Sequence, residues 1–251
     1  ITTKEPAGSN VEDFEETVRM TKELLTKGID ILATIGTQAS VPAWSVVKDT
    51  DIPMVFCGVT YPIEGHLIEA FGKPTHTNIT GLSYGVPPFT RLSLFRKMFP
   101  DTKRFKRIGF TYCGRVPQEI IYVKDLRALK DTLNWEIVYI DFYNYDTEKP
   151  DYGLLIKKLS EGDIDIIFGW YSLDELNGLP EEFKRLQVAF RKPIVGITGQ
   201  FTDQGAIGGV LTDHFAQGAQ QADMVIRILR GKNPGDISPE QPKGYLIDIN
   251  L

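Results

Sequence analysis

The chain has 251 residues, 42% of them hydrophobic and 24% charged, with a formal net charge of -5. These fractions are ordinary for a folded protein and exclude a disordered tail, a collagen-like chain and a small disulfide scaffold. No run of ~18 uncharged apolar residues occurs, so no transmembrane helix is expected. A mildly acidic chain without a basic block is a poor binder of nucleic acid.

Ser9 and Glu12 form a capping box, and Phe14, Val18, Leu24 and Leu25 recur at helical spacing before Gly28, so a helix is expected there. Residues 29–35 are a short apolar run ended by Gly36, which reads as a buried strand. A helix over 41–48, a strand over 52–59 and a shorter helix over 63–71 follow. A weak strand is expected over 79–83, a helix over 89–99 and a strand over 107–112. Ile120, Val123, Leu126, Leu129 and Leu133 mark an amphipathic helix. Beyond it come a strand over 135–142, a helix over 152–159 and a strand over 164–170. The last is apolar almost throughout, as a strand covered on both faces should be. A helix over 180–190 and strands over 193–198 and 206–211 precede a helix over 214–229, stopped at Gly231. A connector with Pro and Gly, 232–243, leads to a final strand over 245–249.

Strands alternating with helices imply βαβ units and parallel sheets. About nine strands are too many for one small sheet with such short crossovers. Two doubly wound lobes joined by several crossings fit better, with 1–82 plus 201–233 in the first lobe and 83–200 plus 234–251 in the second. Cys57 and Cys113 sit in apolar runs in different lobes and are expected to be unpaired. The chain opens at Ile1 without a charged-then-apolar leader, which points to a processed chain or a fragment.

Several strands end in Gly or a small polar residue before a helix, as at Gly36-Thr37, Thr60-Tyr61, Cys113-Gly114 and Trp170-Tyr171. Open α/β sheets bind ligands beyond the carboxyl ends of their strands, and free amides at a helix start suit a carboxylate. Any one of these loops could equally be an ordinary βα turn. Together they gather aromatic and hydroxyl side chains at the tips. Asp213 reads equally well as a cleft residue or a helix cap.

Other chemistries have less support. Gly81-Leu82-Ser83-Tyr84-Gly85 matches G-x-S-x-G, but a nucleophile elbow needs a strong strand before it and a helix at once after. The preceding segment is short and polar, and Pro87-Pro88 delays the helix. His66, His76 and His214 are scattered and no CxxC or HxxxH occurs, so no metal site is expected. Phosphate-loop and dinucleotide motifs are absent, so no nucleotide cofactor is expected. Asp163 and Asp165 flank Ile164 at a strand start and read as a solvated edge.

Ordered along the chain, several segments resemble one family. Residues 28–37 (Gly-Ile-Asp-Ile-Leu-Ala-Thr-Ile-Gly-Thr) are similar to its D-L-I-V-A-I-G-T segment, and residues 52–60 to its I-P-I-V-F-x-x-V-T strand. Asn78-Ile79-Thr80-Gly81-Leu82-Ser83 is similar to N-V-T-G-x-S. Gly205-Ala206, Asp213 and residues 220–234 resemble its closing helix and I-L-x-G-x-x-P. Residues 245–250 resemble its final strand. The family is the substrate-binding proteins of ABC importers that includes tryptophan and tyrosine transporter components.

The resemblance implies a type I periplasmic-binding-protein fold: two Rossmann-like lobes with a small ligand between them, captured by hinge closure. By position it implies Thr37, Gln38, Ala39, Thr60, Tyr61, Ser83 and Tyr84 as ligand contacts from the first lobe. Tyr112, Cys113, Arg115, Trp170, Tyr171 and Ser172 would come from the second, with Gln200 near a crossing and Asp213 as above. It makes Ser83 a cleft hydroxyl and the protein a non-enzyme. The implied ligand is an amino acid, an aromatic compound or a small organic anion. The implied partner is a membrane permease and the implied location is periplasmic or extracellular, with a signal peptide or lipid anchor. A monomer is expected.

The chain departs from the family pattern. Thr111-Tyr112-Cys113-Gly114 stands for L-Y-N-P, Trp170-Tyr171-Ser172 for T-D-N, and Thr198-Gly199 for S-D. Amide and acid groups are thereby exchanged for aromatics, which stack on flat ligands or cations. The family's opening strand and helix, about 40 residues by typical βα lengths, have no counterpart here. A sheet without that first, central strand has unpaired edges, so a longer N-terminus or a strand from elsewhere is expected. Two other readings remain: a sensor domain of a membrane receptor with the same fold, and a serine hydrolase using Ser83 and His214.

Overall fold

The computed structural model describes residues 11–98, 105–115, 117–129, 135–169, 180–196 and 202–250. The chain forms two compact units, Ile1–Gly85 with Thr212–Gly244 and Val86–Leu211 with Tyr245–Leu251.

In the first unit, strands β1 (Leu32–Ile35), β2 (Met54–Val59) and β3 (Ile79–Ser83) form a sheet in that order. Both pairings are parallel, with Leu32 opposite Met54 and Val55 opposite Thr80. Helices α1 (Val11–Thr26) and α2 (Thr37–Val47) lie on one side. There Leu32, Val47, Met54, Phe56 and Ile79 pack into one core, with Leu24, Leu25 and Trp44 against it. The long helix after the second unit's last crossover, labelled α7 (His214–Leu229) in chain order below, covers the other side. Its Met224 packs on Val55, Cys57, Leu82 and Ile237. Gly81 is required where β3 meets β2: a Cβ there would stand 2.2 Å from the carbonyl oxygen of Phe56.

The second unit holds helices α3 (Pro88–Met98), α4 (Pro117–Ala128), α5 (Tyr152–Glu161) and α6 (Pro180–Phe190). Its strands are β4 (Arg107–Tyr112), β5 (Glu136–Asp141), β8 (Ile166–Phe168), β9 (Ile194–Gly196), β10 (Gly208–Thr212) and β11 (Tyr245–Ile249). They form a six-stranded sheet in the order β11-β10-β9-β8-β4-β5. The pairings β4–β5, β4–β8, β8–β9 and β9–β10 are parallel. Ile108, Ile166, Ile167, Leu155 and Leu186 are fully buried, consistent with a sheet covered by helices. Asp165 accepts the main-chain N–H groups of Lys106 at 2.8 Å and Arg107 at 2.9 Å, fixing the start of β4, while Asp163 is exposed.

Four details differ from the sequence reading. Helix α2 starts at Thr37 and carries Pro42 within it. No helix forms over 63–71. His66 takes φ 55° and the segment closes as turns, with Gly65 N bonded to Tyr61 O at 3.0 Å and Leu67 N to Pro62 O at 2.9 Å. A short hairpin, β6 (Tyr143–Asn144) with β7 (Lys149–Pro150), interrupts the passage from β5 to α5. Strand β10, placed with the first lobe by the boundary 201–233, hydrogen-bonds into the second unit's sheet, while residues 234–244 belong to the first unit.

Candidate functional site

Ligand-competent residues of an α/β sheet lie beyond its carboxyl strand ends, and each unit has such an edge. In the first unit β1 gives way to α2 at Gly36, whose φ of 86° turns the chain. Gly36 N bonds to Cys57 O at 2.8 Å, tying the two strand ends together. Gly36 supplies no side-chain cap and the first turn holds no acid, so the positive end of α2 carries no compensating carboxylate of its own. Thr37 Oγ1 accepts the N–H of Thr60 at 3.3 Å. Tyr84 N donates to Val59 O at 2.7 Å. Tyr84 stacks on His214, ring centroids 5.6 Å apart and planes at 22°. Gly58, at φ 66°, lies beside the same edge: a Cβ there would be 3.6 Å from Gly36 N and 3.9 Å from both Ile35 and Tyr84 side chains.

Thr37, Thr60 and Tyr84 therefore come together around Gly36 and Gly58. Gln38 is exposed and Ala39 half-buried on the first turn of α2, and Tyr61 is half-buried after β2. Ser83 is buried. It ends β3, and residues 84–87 separate it from α3, so the strand-to-helix junction of a nucleophile elbow is not formed. Asp213 is the N-cap of α7, its Oδ1 accepting Ala216 N at 2.9 Å. Cap and cleft residue read equally well in the sequence; its carboxylate is used as a cap.

In the second unit Tyr112 ends β4, with its phenol half-buried. Burial first, and the Asp141 carboxylate second, push its pKa up. Cys113 is buried to 1% exposure, and its N–H donates to the buried Glu119 carboxylate at 2.5 Å. Its thiol is not at the surface, so its contribution to an edge is main chain. Gly114 N donates to Asp141 Oδ1 at 2.9 Å. Arg115 is exposed, its guanidinium 5.8 Å from the centroid of the Tyr145 ring. Trp170, Tyr171, Ser172 and Gln200 lie outside the described residues.

Asp141, Glu119 and Tyr145 escape a reading by motif. They matter because a carboxylate on a neighbouring strand or helix satisfies loop amides, a tertiary relation. The only local trace is the turn composition of Tyr143-Asn144-Tyr145-Asp146 before Pro150. Both cysteines are unpaired and buried, and burial lifts the Cys57 thiol to about 11. Among the described residues no cluster of His, Cys, Asp and Glu is arranged to hold a metal ion. None of the described helices is long and apolar enough to cross a membrane.

In open α/β sheets ligands bind beyond the carboxyl ends of the strands, where these hydroxyl and aromatic side chains lie. The profile of the ABC transporter substrate binding protein family matches residues 7–251, and the chain belongs to that family. It is 23% identical over 225 residues to the tyrosine-binding protein of Clostridioides difficile strain R20291, covering 90% of this chain and 62% of that relative. The chain thus spans less than two thirds of that protein's length. The fold is shared with the ligand-free, open structure of a substrate-binding protein with adhesive properties from Clostridium difficile. The TM-score is 0.76 and the identity 18%, over 94% of this chain and 76% of that one. It is shared too with an ABC domain in complex with L-Trp from Streptococcus pneumonia, at TM-score 0.66 and 20% identity over 91% and 73% of the chains.

Proposed function

We propose that this chain is the solute-binding component of an ABC importer and that it captures a small ligand carrying a flat ring and a carboxylate. Family membership supports the class of function. The observation that supports the ligand class is the Thr37–Thr60–Tyr84 group around Gly36 and Gly58. It offers an aromatic face backed by His214 beside a helix start without an acidic side chain. A ring packs on the first and an anion is favoured at the second. The tyrosine and L-Trp named for two relatives fit that description. Tyr112 and Arg115 of the second unit are proposed as further contacts, with Trp170, Tyr171, Ser172 and Gln200 proposed from the family resemblance. The protein would work outside the cytoplasm and hand its ligand to a membrane permease, as a monomer and without covalent chemistry.

The experiment is a thermal-shift screen of the full-length protein against amino acids, aromatic acids, sugars, nucleosides and small organic anions, followed by calorimetry. A ligand that binds only the folded state stabilises it by about 2.7 kcal/mol at a hundredfold excess over Kd. A saturable shift with L-tyrosine, L-tryptophan or an aromatic acid is expected. Shifts confined to sugars or nucleosides overturn the ligand class, and no shift from any class overturns the binding function.

A further inference from the structure

Residues 232–243, a connector by composition, run beside β3 in the first unit. His76 N donates to Gly235 O at 3.1 Å, and the buried Thr80 hydroxyl donates to Ile237 O at 2.7 Å. Further on, Glu240 N donates to Gly81 O at 2.9 Å and Ser83 N donates to Glu240 O at 3.1 Å, so Leu82 and Glu240 form a parallel bridge. The connector is thus a strap along the outer edge of β3, where main-chain groups need a partner strand.

Side chains fasten the end of the strap to α7. Gln220 Nε2 donates to Glu240 Oε2 at 2.5 Å and to Gln241 O at 3.2 Å, while Gln220 Oε1 accepts Lys243 N at 3.3 Å. Lys243 Nζ lies 2.6 Å from the same Glu240 oxygen. Burial alone would raise the Glu240 carboxyl, but the bonds from Lys243 and Gln220 hold it below its usual range, so the clasp is ionic at neutral pH.

The strap ends at the residue before Tyr84. Ser83 is bonded through both main-chain groups, its N–H to Glu240 and its carbonyl to Gln217 of α7. Tyr84 then places its N–H on Val59 O and its ring against His214. His214, Gln217 and Gln220 follow one another at three-residue spacing, which puts them on one face of the helix. That face therefore carries the ring behind Tyr84, the amide on Ser83 and the clasp on Glu240.

We propose that Glu240, clasped by Gln220 and Lys243, is a positioning residue that fixes the aromatic face of Tyr84 through Ser83. This rests on the solute-binding function proposed above, with Tyr84 as its ring contact. Glu240 acts through Tyr84 and not by touching the solute.

The test measures L-tyrosine affinity by calorimetry on the full-length protein. Gln220→Ala and Glu240→Ala are each expected to weaken it about 3- to 10-fold, with the double variant no worse than either single one. Glu240→Gln can still accept from Gln220 and should recover most of the loss. In a Tyr84→Ala background neither Gln220→Ala nor Glu240→Ala should weaken binding further, as coupled residues do. A second readout needs no ligand. The His214 ring protons feel the facing Tyr84 ring, and with three histidines in the chain their proton NMR signals are identified by difference against His214→Gln. Those signals should move toward their ordinary position in Glu240→Ala. Unmoved signals overturn the positioning role and leave the binding function standing. A loss of affinity undiminished in the Tyr84→Ala background overturns it as well, since Glu240 would then act on the fold at large. Full affinity in Tyr84→Ala, or no L-tyrosine binding by wild type, removes the ring contact and this inference with it.

Discussion

Gln217 Nε2 donates to the main-chain carbonyl of Ser83 at 3.0 Å, joining segments 134 residues apart in sequence. One turn further along α7, Gln221 donates to Thr34 O at 3.2 Å and Val55 O at 2.9 Å. Both glutamines are buried, where an apolar helix face would be the ordinary choice. Two side-chain amides thus hold α7 against the strands that carry the candidate site.

Removing the first of these amides has a calculable cost. Gln217→Leu keeps the volume and strips a buried carbonyl of a donor, at about 1–3 kcal/mol. Urea unfolding should show a lower midpoint with an unchanged slope. A midpoint equal to wild type would mean that Ser83 O is satisfied without Gln217.

The glycines give a sharper contrast. At Gly81 a side chain meets the main-chain oxygen of Phe56 at 2.2 Å, which no rotamer relieves. At Gly72 the φ is 72° but the space is open. Gly72→Ala should therefore cost only the left-handed backbone term, about 1–2 kcal/mol. Gly81→Ala should cost more than ~4 kcal/mol and abolish soluble expression. Comparable melting temperatures for the two variants would disprove the β2–β3 approach.

The alternation of apolar runs and helical patterns made the α/β class and the strands over 107–112 and 79–83 legible, because local periodicity carries that information. The start of α2 was not. Pro42 looks like a helix-entry residue, yet it sits in the helix interior while Thr37 opens it. The hairpin at Tyr143 was hidden because two-residue strands leave no period. The loops at Thr37 and Thr60 were legible as strand ends running into helices, and the family resemblance made these residues and Tyr84 ligand contacts; Gly58 and Asp141 were reached by neither route, since a missing Cβ and a carboxylate on loop amides act only in three dimensions.

The cap of α5 makes stability depend on pH. Asp151 Oδ1 accepts Leu154 N at 2.9 Å and Oδ2 accepts Asn144 Nδ2 at 3.0 Å. The Leu154 amide first, and Asn144 second, hold its carboxyl below the usual range. A lowered folded-state value means stability present above the unfolded value, near 4, and lost as pH falls through the folded one. Asp151→Asn should flatten that part of the melting-temperature profile below about pH 4. Asp151→Ala should cost ~1 kcal/mol at neutral pH. An acid limb unchanged in Asp151→Asn would assign it to other carboxylates.

Thiol chemistry checks both cores. Cys57 and Cys113 are 5% and 1% exposed, and burial raises the Cys57 thiol to about 11. Since only an accessible thiolate reacts, neither should react with an aromatic disulfide reagent at pH 8 until the chain unfolds. Rapid labelling of one thiol in the native protein would show an open core in that unit.

The Tyr84–His214 stack supplies the most direct test of the candidate site. The main-chain bond from Tyr84 N to Val59 O survives truncation, so Tyr84→Ala should leave the fold intact. It removes the aromatic face beside Gly58 and should weaken L-tyrosine binding by about 1–3 kcal/mol. His214→Ala removes only the backing ring and should cost less, about 0.5–1.5 kcal/mol. Calorimetry of the two variants separates the roles: a larger loss for His214 than for Tyr84 would place the ligand on the imidazole. Full affinity in both would move the ring of the ligand away from this edge.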